Sequence, residues 1–256
     1  MKLHRLAAAA CAAALVAAPA VAADLTIVYK TTGAGGPGTA TSYFSPEKMR
    51  VSDAERDTIV EYGPGRIVSI DHKKKEYSEV TLAELEAAMK AAADRMQQMN
   101  AQMASMPPAV REKMQGMMGG GSVAVTKGAT RKVAGYDCTD YDVVMGGMVE
   151  MHLCATTAIA PPVPAVGGDF SRFKGFAGSA TALAMNPMFK GVIDEMKKVQ
   201  GFTIAESSAV KMMGRSTATS KEATEVKTSP IPAEAFDVAA LTKGYKKVEN
   251  PALKMK

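Results

Sequence analysis

The residue types in this chain that could do chemistry are its thioethers, two histidines beside acids, and one pair of cysteines. The chain holds 19 methionines. Met89, Met96, Met99, Met103 and Met106 fall in a series with Leu82, Leu85 and Ala92 that steps by three and four residues. That spacing is one continuous apolar seam along a helix. Unbranched thioethers make a soft, adaptable surface, suited to filling an irregular core, to touching an apolar ligand of variable shape, or to holding Cu(I), which prefers sulfur.

His152 lies in a run with Asp140, Asp142 and Glu150. A histidine next to acids could act as a general base or help to hold a divalent metal, and the competing reading is a solvated ion pair on the polar face of a hairpin. The spacing is nonspecific and the solvated pair is the default. His72 sits in the charged turn Asp71-His72-Lys73-Lys74. No serine stands in a nucleophile-elbow pattern. The glycine-rich stretch at residues 33–38 lacks the closing Lys-Ser or Lys-Thr and the following helix that a phosphate cradle needs, so it reads as a turn. No catalytic residue, cofactor or metal site is assigned, and the chain is read as a non-enzyme.

The elements that must position these residues follow from pattern. Residues 1–23 read as a cleavable secretory signal, with Lys2 and Arg5 before an alanine-rich apolar run and the small residues Ala20-Val21-Ala22 at its end. The run is too short and too alanine-rich for a membrane span, so the expected location is a bacterial periplasm. Without Lys2 and Arg5 the formal charge of +5 falls to about +3, too mild and dispersed for a nucleic-acid partner. The chain has no tryptophan and 5% aromatic residues, which counts against a sugar cleft or a base-stacking platform.

Residues 24–80 read as a β meander, because short runs rich in β-branched and aromatic residues alternate with turn signals such as Ser45-Pro46 and Gly63-Pro64-Gly65. Thr81 with Glu84 three residues on forms a capping box that opens the methionine helix, and Pro107-Pro108 ends it. A shorter helix to Met118 completes a helical insertion over residues 81–118. A second helical region is expected over residues 169–199, carried by Phe170, Phe173, Phe176, Phe189, Val192 and Val199. After it come three strands, at residues 202–207, 210–218 and 223–228, and an extended closing segment.

The hairpin between these helical regions carries its own register. Tyr141, Val143 and Met145 alternate with polar residues on one strand, and Val149, Met151 and Leu153 do so on the next. For both sets to share a face, residue 143 is paired here with 149 and 141 with 151, because a slip of one residue would turn one set over. That register sets Cys138 opposite Cys154, on the face away from the apolar set, and Asp140 opposite His152. In an exported chain such a pair is expected to be a disulfide.

The meander, the hairpin from Ile70-Asp71 to Tyr77, the methionine-rich helix, the run Lys132-Val133-Ala134-Gly135-Tyr136-Asp137-Cys138, and the closing Ile231-Pro232 to Phe236 with Gly244-Tyr245 together resemble an uncharacterised bacterial periplasmic family. That family is grouped with the LolA/LolB-like lipoprotein carriers. The resemblance implies an α+β fold: a single LolA-like domain over residues 24–256, with an incomplete antiparallel β-barrel, or half-barrel, packed on helices around an apolar cavity. None of its motifs is catalytic. Met89, Met96, Met99, Met103, Val143 and Met151 are the expected ligand-binding residues.

Two functional classes follow, beside a plainer one. The first is a binding or carrier protein for an apolar ligand such as an acyl chain or lipid. The second is a Cu(I)-handling protein that uses methionine thioethers. In the plainer reading methionine is core filler, and the protein is a structural or interaction component of the envelope. The oligomeric state stays open.

Overall fold

The computed structural model describes residues 24–33, 36–104, 123–146, 149–160, 162, 187–212 and 215–253. Residues 1–23, expected to be a signal, and the part of the second expected helical region before residue 187 lie outside the described residues, as does the second half of the expected helical insertion.

Among the described residues, twelve strands form one sheet. The first six are β1 (Leu25–Thr32), β2 (Gly38–Phe44), β3 (Lys48–Asp53), β4 (Arg56–Glu61), β5 (Arg66–Asp71) and β6 (Glu76–Thr81). Each pairs antiparallel with the next, so the expected meander is present. A second meander follows the helix α1 (Leu82–Ala104): β7 (Val123–Val133), β8 (Tyr136–Met145), β9 (Val149–Thr156), β10 (Phe202–Met212) and β11 (Arg215–Lys227), with α2 (Pro187–Met196) between β9 and β10. The chain closes through a 3-10 turn at Ala233–Phe236, α3 (Val238–Leu241), the short parallel strand β12 (Lys246–Lys247) beside β6, and a second 3-10 turn at Pro251–Leu253.

β11 pairs with β1 and so welds the two meanders into the order β12-β6-β5-β4-β3-β2-β1-β11-β10-β9-β8-β7. This corrects the expected half-barrel packed on helices. Among the described residues the architecture is a large open sheet, dominated by antiparallel strands, with few helices. The family resemblance implied a barrel wrapped around helices, but the second half of the chain is strand-rich: two long strands, β10 and β11, replace the three short ones expected after residue 201.

Local chemistry accounts for the turns. β7 and β8 are joined by Ala134 and Gly135, both at positive φ (49° and 86°), the two-residue hairpin geometry that matches strand twist. At Gly201 (φ 97°) an added Cβ would stand 2.3 Å from the Thr156 carbonyl oxygen, so only glycine lets α2 return into β10. The Thr81 capping box forms as expected. Glu84 Oε2 accepts from the Thr81 backbone N–H at 2.8 Å, and Thr81 Oγ1 accepts from the Glu84 N–H at 3.2 Å. The Thr81 N–H, and then the Thr81 hydroxyl, which also lies 2.8 Å from Glu84 Oε2, hold the Glu84 carboxyl below its ordinary range.

The hairpin register differs from the expectation by two residues. Val143 pairs with Met151, Tyr141 with Leu153, and Asp142, in place of Asp140, with His152. A two-residue shift preserves parity, so every side chain keeps its face and the disulfide survives as a diagonal pair. Cys138 and Cys154 are bonded with Cα atoms 5.4 Å apart.

That disulfide is buried, although its face of the sheet was expected to be the polar one. Register places Arg131 of β7 beside Cys138, Cys154 beside Ala205 of β10, and Ala205 beside Glu222 of β11. Arg131 Nη1 lies 3.1 Å from Glu222 Oε2, yet β7 and β11 are four positions apart in the sheet. Four strand spacings of a flat sheet come to about 19 Å, beyond the joint reach of the two side chains. The sheet therefore curls here, and the small residues Cys138, Cys154 and Ala205 line the inside of the curl. Both cysteines are 1% exposed, in a core shared with Leu25, Ile27, Tyr29, Val133 and Ile204.

Candidate functional site

The expected ligand-binding residues fall at two ends of the sheet. Val143 is fully buried with Tyr141, Leu153, Ala155 and Val199, and Met151 packs half-buried against them beside Met196 of α2. Tyr141 Oη also accepts from the Gln200 N–H at 3.3 Å, which ties the end of the α2 segment to this face. Met89, Met96, Met99 and Met103 lie on α1, and their side chains fall outside the described residues. The main described neighbours of α1 are β6 and the turn at Pro251–Leu253, at the sheet end opposite β8 and β9. At the start of the seam Leu82 is buried and Leu85 half-buried.

The acids around His152 are divided among separate partners. Asp142 takes His152 Nδ1, Asp140 takes Arg131 Nε at 3.0 Å, and Glu150 takes Lys211 Nζ at 2.6 Å. The Lys211 contact draws the Glu150 carboxyl below its ordinary range.

A more organised polar constellation stands on the first meander, at residues that pattern alone left as a turn and ordinary strand positions. Asp57 on β4 is fully buried, and its Oδ2 receives both Arg50 Nη2 of β3 at 2.8 Å and His72 Nε2 at 3.0 Å. A carboxylate only accepts, so His72 donates through Nε2, and its Nδ1 lies 3.0 Å from Tyr245 Oη. Arg50 Nη1 donates to the Ala235 carbonyl at 2.7 Å, and its guanidinium lies 5.7 Å from the Tyr43 ring centroid. Two orphan atoms stand within this group among the described residues: Arg50 Nε and Asp57 Oδ1 are buried with no hydrogen-bond partner.

The constellation engages the Tyr245 hydroxyl through His72. What it does is hold the C-terminal segment, residues 231–250, against the sheet. That segment crosses an apolar floor of Ile59, Val68 and Ile70, onto which it lays Val238, Leu241 and Tyr245. Phe236 meets Tyr43 edge to face at 6.5 Å. Along the other rim runs a ladder of alternating charge: Lys48, Glu61, Arg66, Glu79 and Lys247, with contacts of 3.3, 2.7, 3.6 and 2.8 Å. The Arg66 hydrogen bond is the main reason the Glu61 carboxyl lies below its ordinary value. Glu79 in turn raises the Lys247 ammonium. The Gly244-Tyr245 and Asp71-His72 sequences, far apart in the chain, thus meet at one point.

Two clefts flank this segment. One, of about 550 Å³, lies between residues 233–239 and the Lys48, Glu61 and Arg66 end of the ladder. The other, of about 470 Å³, opens on the opposite sheet face over Thr58, Ser69 and Ser78, with Arg56, Asp71, Lys74 and Glu76 around it and Asn250 hydrogen-bonded to Ser78 at 3.3 Å. Among the described residues no group of three or more His, Cys, Asp or Glu side chains could hold a metal ion. No described helix is long and apolar enough to cross a membrane, which leaves membrane crossing by strands unaddressed.

Comparison with known proteins adds one family match. Residues 121–241 match the model of a domain of unknown function (DUF4412), a span that runs from β7 to α3. No curated protein matches. Solved structures similar to this chain include an uncharacterized conserved protein from Thermus thermophilus, with 8% identity, a TM-score of 0.42, and coverage of 90% of this chain and 92% of that one. PNGF-II shares 11% identity over 91% of this chain at a TM-score of 0.40, and MucB 10% over 84% at 0.38. The chain spans 32% of the length of PNGF-II and 56% of that of MucB. MucB is also similar in its complex with MucA(peri), at a TM-score of 0.36. These likenesses are loose and carry no function across. What stands of the expected family is the match to an uncharacterised domain over residues 121–241.

Proposed function

We propose that this protein is an exported, non-enzymatic binding protein of the bacterial periplasm, and that the methionine face of α1 takes up an apolar ligand such as an acyl chain. The observation that supports this reading most is the placement of α1. The helix is 23 residues long, about 34 Å at 1.5 Å per residue, and its main described neighbours are one strand near the sheet end and a three-residue turn. The sheet core is completed elsewhere, by α2 and by the C-terminal segment. A seam of thioethers in that position suits a partner of variable shape better than a fixed core, where leucine specifies packing more sharply. The aqueous, oxidising compartment fits the signal-like start and the bonded cysteines.

Native mass spectrometry with lipid extraction, on protein purified from the periplasm, tests the reading. The expected result is a copurified acyl species that is lost when Met96 and Met99 are replaced by Gln while the disulfide and the fold are retained. Stoichiometric Cu(I) without lipid would replace this function with copper handling. A protein that holds nothing, and whose Met96→Leu and Met99→Leu variant is only more stable, would return the seam to packing.

A further inference from the structure

The C-terminal segment lays Val238, Leu241 and Tyr245 on one face of the first meander, over Ile59, Val68 and Ile70. On the opposite face the register of β4, β5 and β6 sets like against like in three cross-strand rows. Arg56, Asp71 and Glu76 make a charged row, Thr58, Ser69 and Ser78 a hydroxyl row, and Val60, Ile67 and Val80 an apolar row. Successive rows are two residues, or about 7 Å, apart. The cleft of about 470 Å³ lies over the first two rows. The third row is covered, with Val60 and Val80 buried. It gives way to the start of α1, where the Leu82 N–H donates to the Gly65 carbonyl at 2.7 Å. The turn at Pro251–Leu253 neighbours α1 as well, and its first residue lines the cleft. The polar cleft and the methionine helix therefore share a border.

We propose, resting on the acyl-chain reading above, that this cleft is the head-group site of the ligand, and that the ligand is an acylated phosphoethanolamine, a zwitterionic phospholipid. Charge carries the choice. The four charged side chains around the cleft, Arg56, Lys74, Asp71 and Glu76, sum to zero. Asp71 is engaged by Lys74, through the backbone N–H at 2.8 Å and Nζ at 3.4 Å. Arg56 and Glu76 then remain, one at each end of the row, with no ion pair among the described residues. Two strand spacings, about 10 Å, separate their backbones, a span that the long arginine side chain shortens to that of a phosphate and an ammonium joined by two carbons. Between them the hydroxyl row supplies donors. Ser78 Oγ accepts from Asn250 Nδ2 at 3.3 Å, which leaves its own hydrogen for a phosphate oxygen. Phosphate oxygens accept from this row and from the Arg56 guanidinium, and the ammonium donates to the Glu76 carboxylate. A purely anionic head would meet Glu76 with no cation to answer it. The acyl chain leaves the cleft across the shared border, along the methionine face of α1.

The test is a competition read by native mass spectrometry. Full-length protein purified from the periplasm and delipidated is mixed with detergent micelles holding equal amounts of dioleoyl phosphatidylethanolamine and dioleoyl phosphatidylglycerol, which share their acyl chains. Preferential retention of phosphatidylethanolamine is expected. Glu76→Gln should abolish the preference, and Arg56→Gln should weaken both lipids by about fivefold, the upper range for a solvent-screened charge pair. Neither side chain is buried, so circular dichroism should show both variants folded. Equal retention of the two lipids, preference for phosphatidylglycerol, or indifference to both substitutions would overturn the head-group site and leave the acyl-chain reading standing. Retention of neither lipid, by a protein that also yields no copurified acyl species, would overturn both.

Discussion

The two meanders solve one problem by different means. Each has a sheet face too apolar to leave wet, and among the described residues neither takes its main cover from the long helix. The first, β1 to β6, has strands of six to eight residues, and its face over Ile59, Val68 and Ile70 is closed by a distant piece of chain fastened by buried charge. The second, β7 to β11, has strands of up to 13 residues. It closes by curling over its own disulfide and by taking α2 across Val143 and Leu153. The disulfide at the centre of the second device is local: its cysteines are 16 residues apart. The first is remote, since His72 and Tyr245 are 173 apart and Arg50 and Ala235 are 185 apart. The remote fastening needs Asp57 to serve two donors at once in a buried place, so it fails abruptly when one partner is removed.

Asp57→Ala should therefore have the largest effect. It strands Arg50, whose side chain is 13% exposed, as a buried charge, and removal of one partner of such a pair costs about 3–5 kcal/mol. Hydrogen exchange should lose protection in β3 to β6 and residues 231–250 while β8 to β10 stay protected. Uniform loss along all strands would mean that the β1 and β11 pairing makes the sheet one cooperative unit, and the contrast between meanders would fall. Replacing Arg50 by Met and Asp57 by Leu together should recover most of the loss, because a buried ion pair exchanged for packed apolar groups is near neutral.

Next in size is Cys138→Ala with Cys154→Ala, expected to cost about 3 kcal/mol through the freed loop of about 15 residues. Urea unfolding should show it, with exchange rising in β8 and β9 before β3 to β6. If the first meander loosened first, the disulfide would be bracing the whole sheet.

Thr81→Ala removes the hydroxyl that accepts at the start of α1 and should lower stability by about 1 kcal/mol. Because α1 docks mainly at β6, the change should register in helical circular dichroism and leave exchange in β7 to β11 untouched. The smallest effect is on pH. Glu61 is held below its ordinary value of 4.5, so its ion pairs add stability that is fully present above pH 4.5 and fades as pH falls through its lower folded value. A pH series of urea midpoints should drop on that side, and Glu61→Gln should flatten the drop.

How much of this was legible in the sequence differs along the same line. The meander of residues 24–80 was readable because each strand pairs with its chain neighbour, and Ser45-Pro46 or Gly63-Pro64-Gly65 punctuates it. The capping box was readable because it spans three residues. The disulfide was reached from a register two residues out, and that error was harmless: side chains alternate with period two, so an even slip leaves Cys138 and Cys154 on one face. Burial of that face was missed, because the curl depends on Arg131 meeting Glu222, 91 residues away. Asp57, a polar residue in an alternating strand, gave no signal of its own.

By itself, then, the sequence determined the strands that pair with their neighbours, the start of α1 and the cysteine bond, all of which rest on interactions within about 20 residues, where periodicity and turn chemistry decide the outcome. Tertiary structure alone decided that β11 joins β1 to make one open sheet in place of a half-barrel, that the sheet curls over the disulfide, and that residues 231–250 lie clamped on Asp57. Those choices depend on contacts between segments roughly 90 to 200 residues apart, whose mutual fit leaves no periodic trace in either segment.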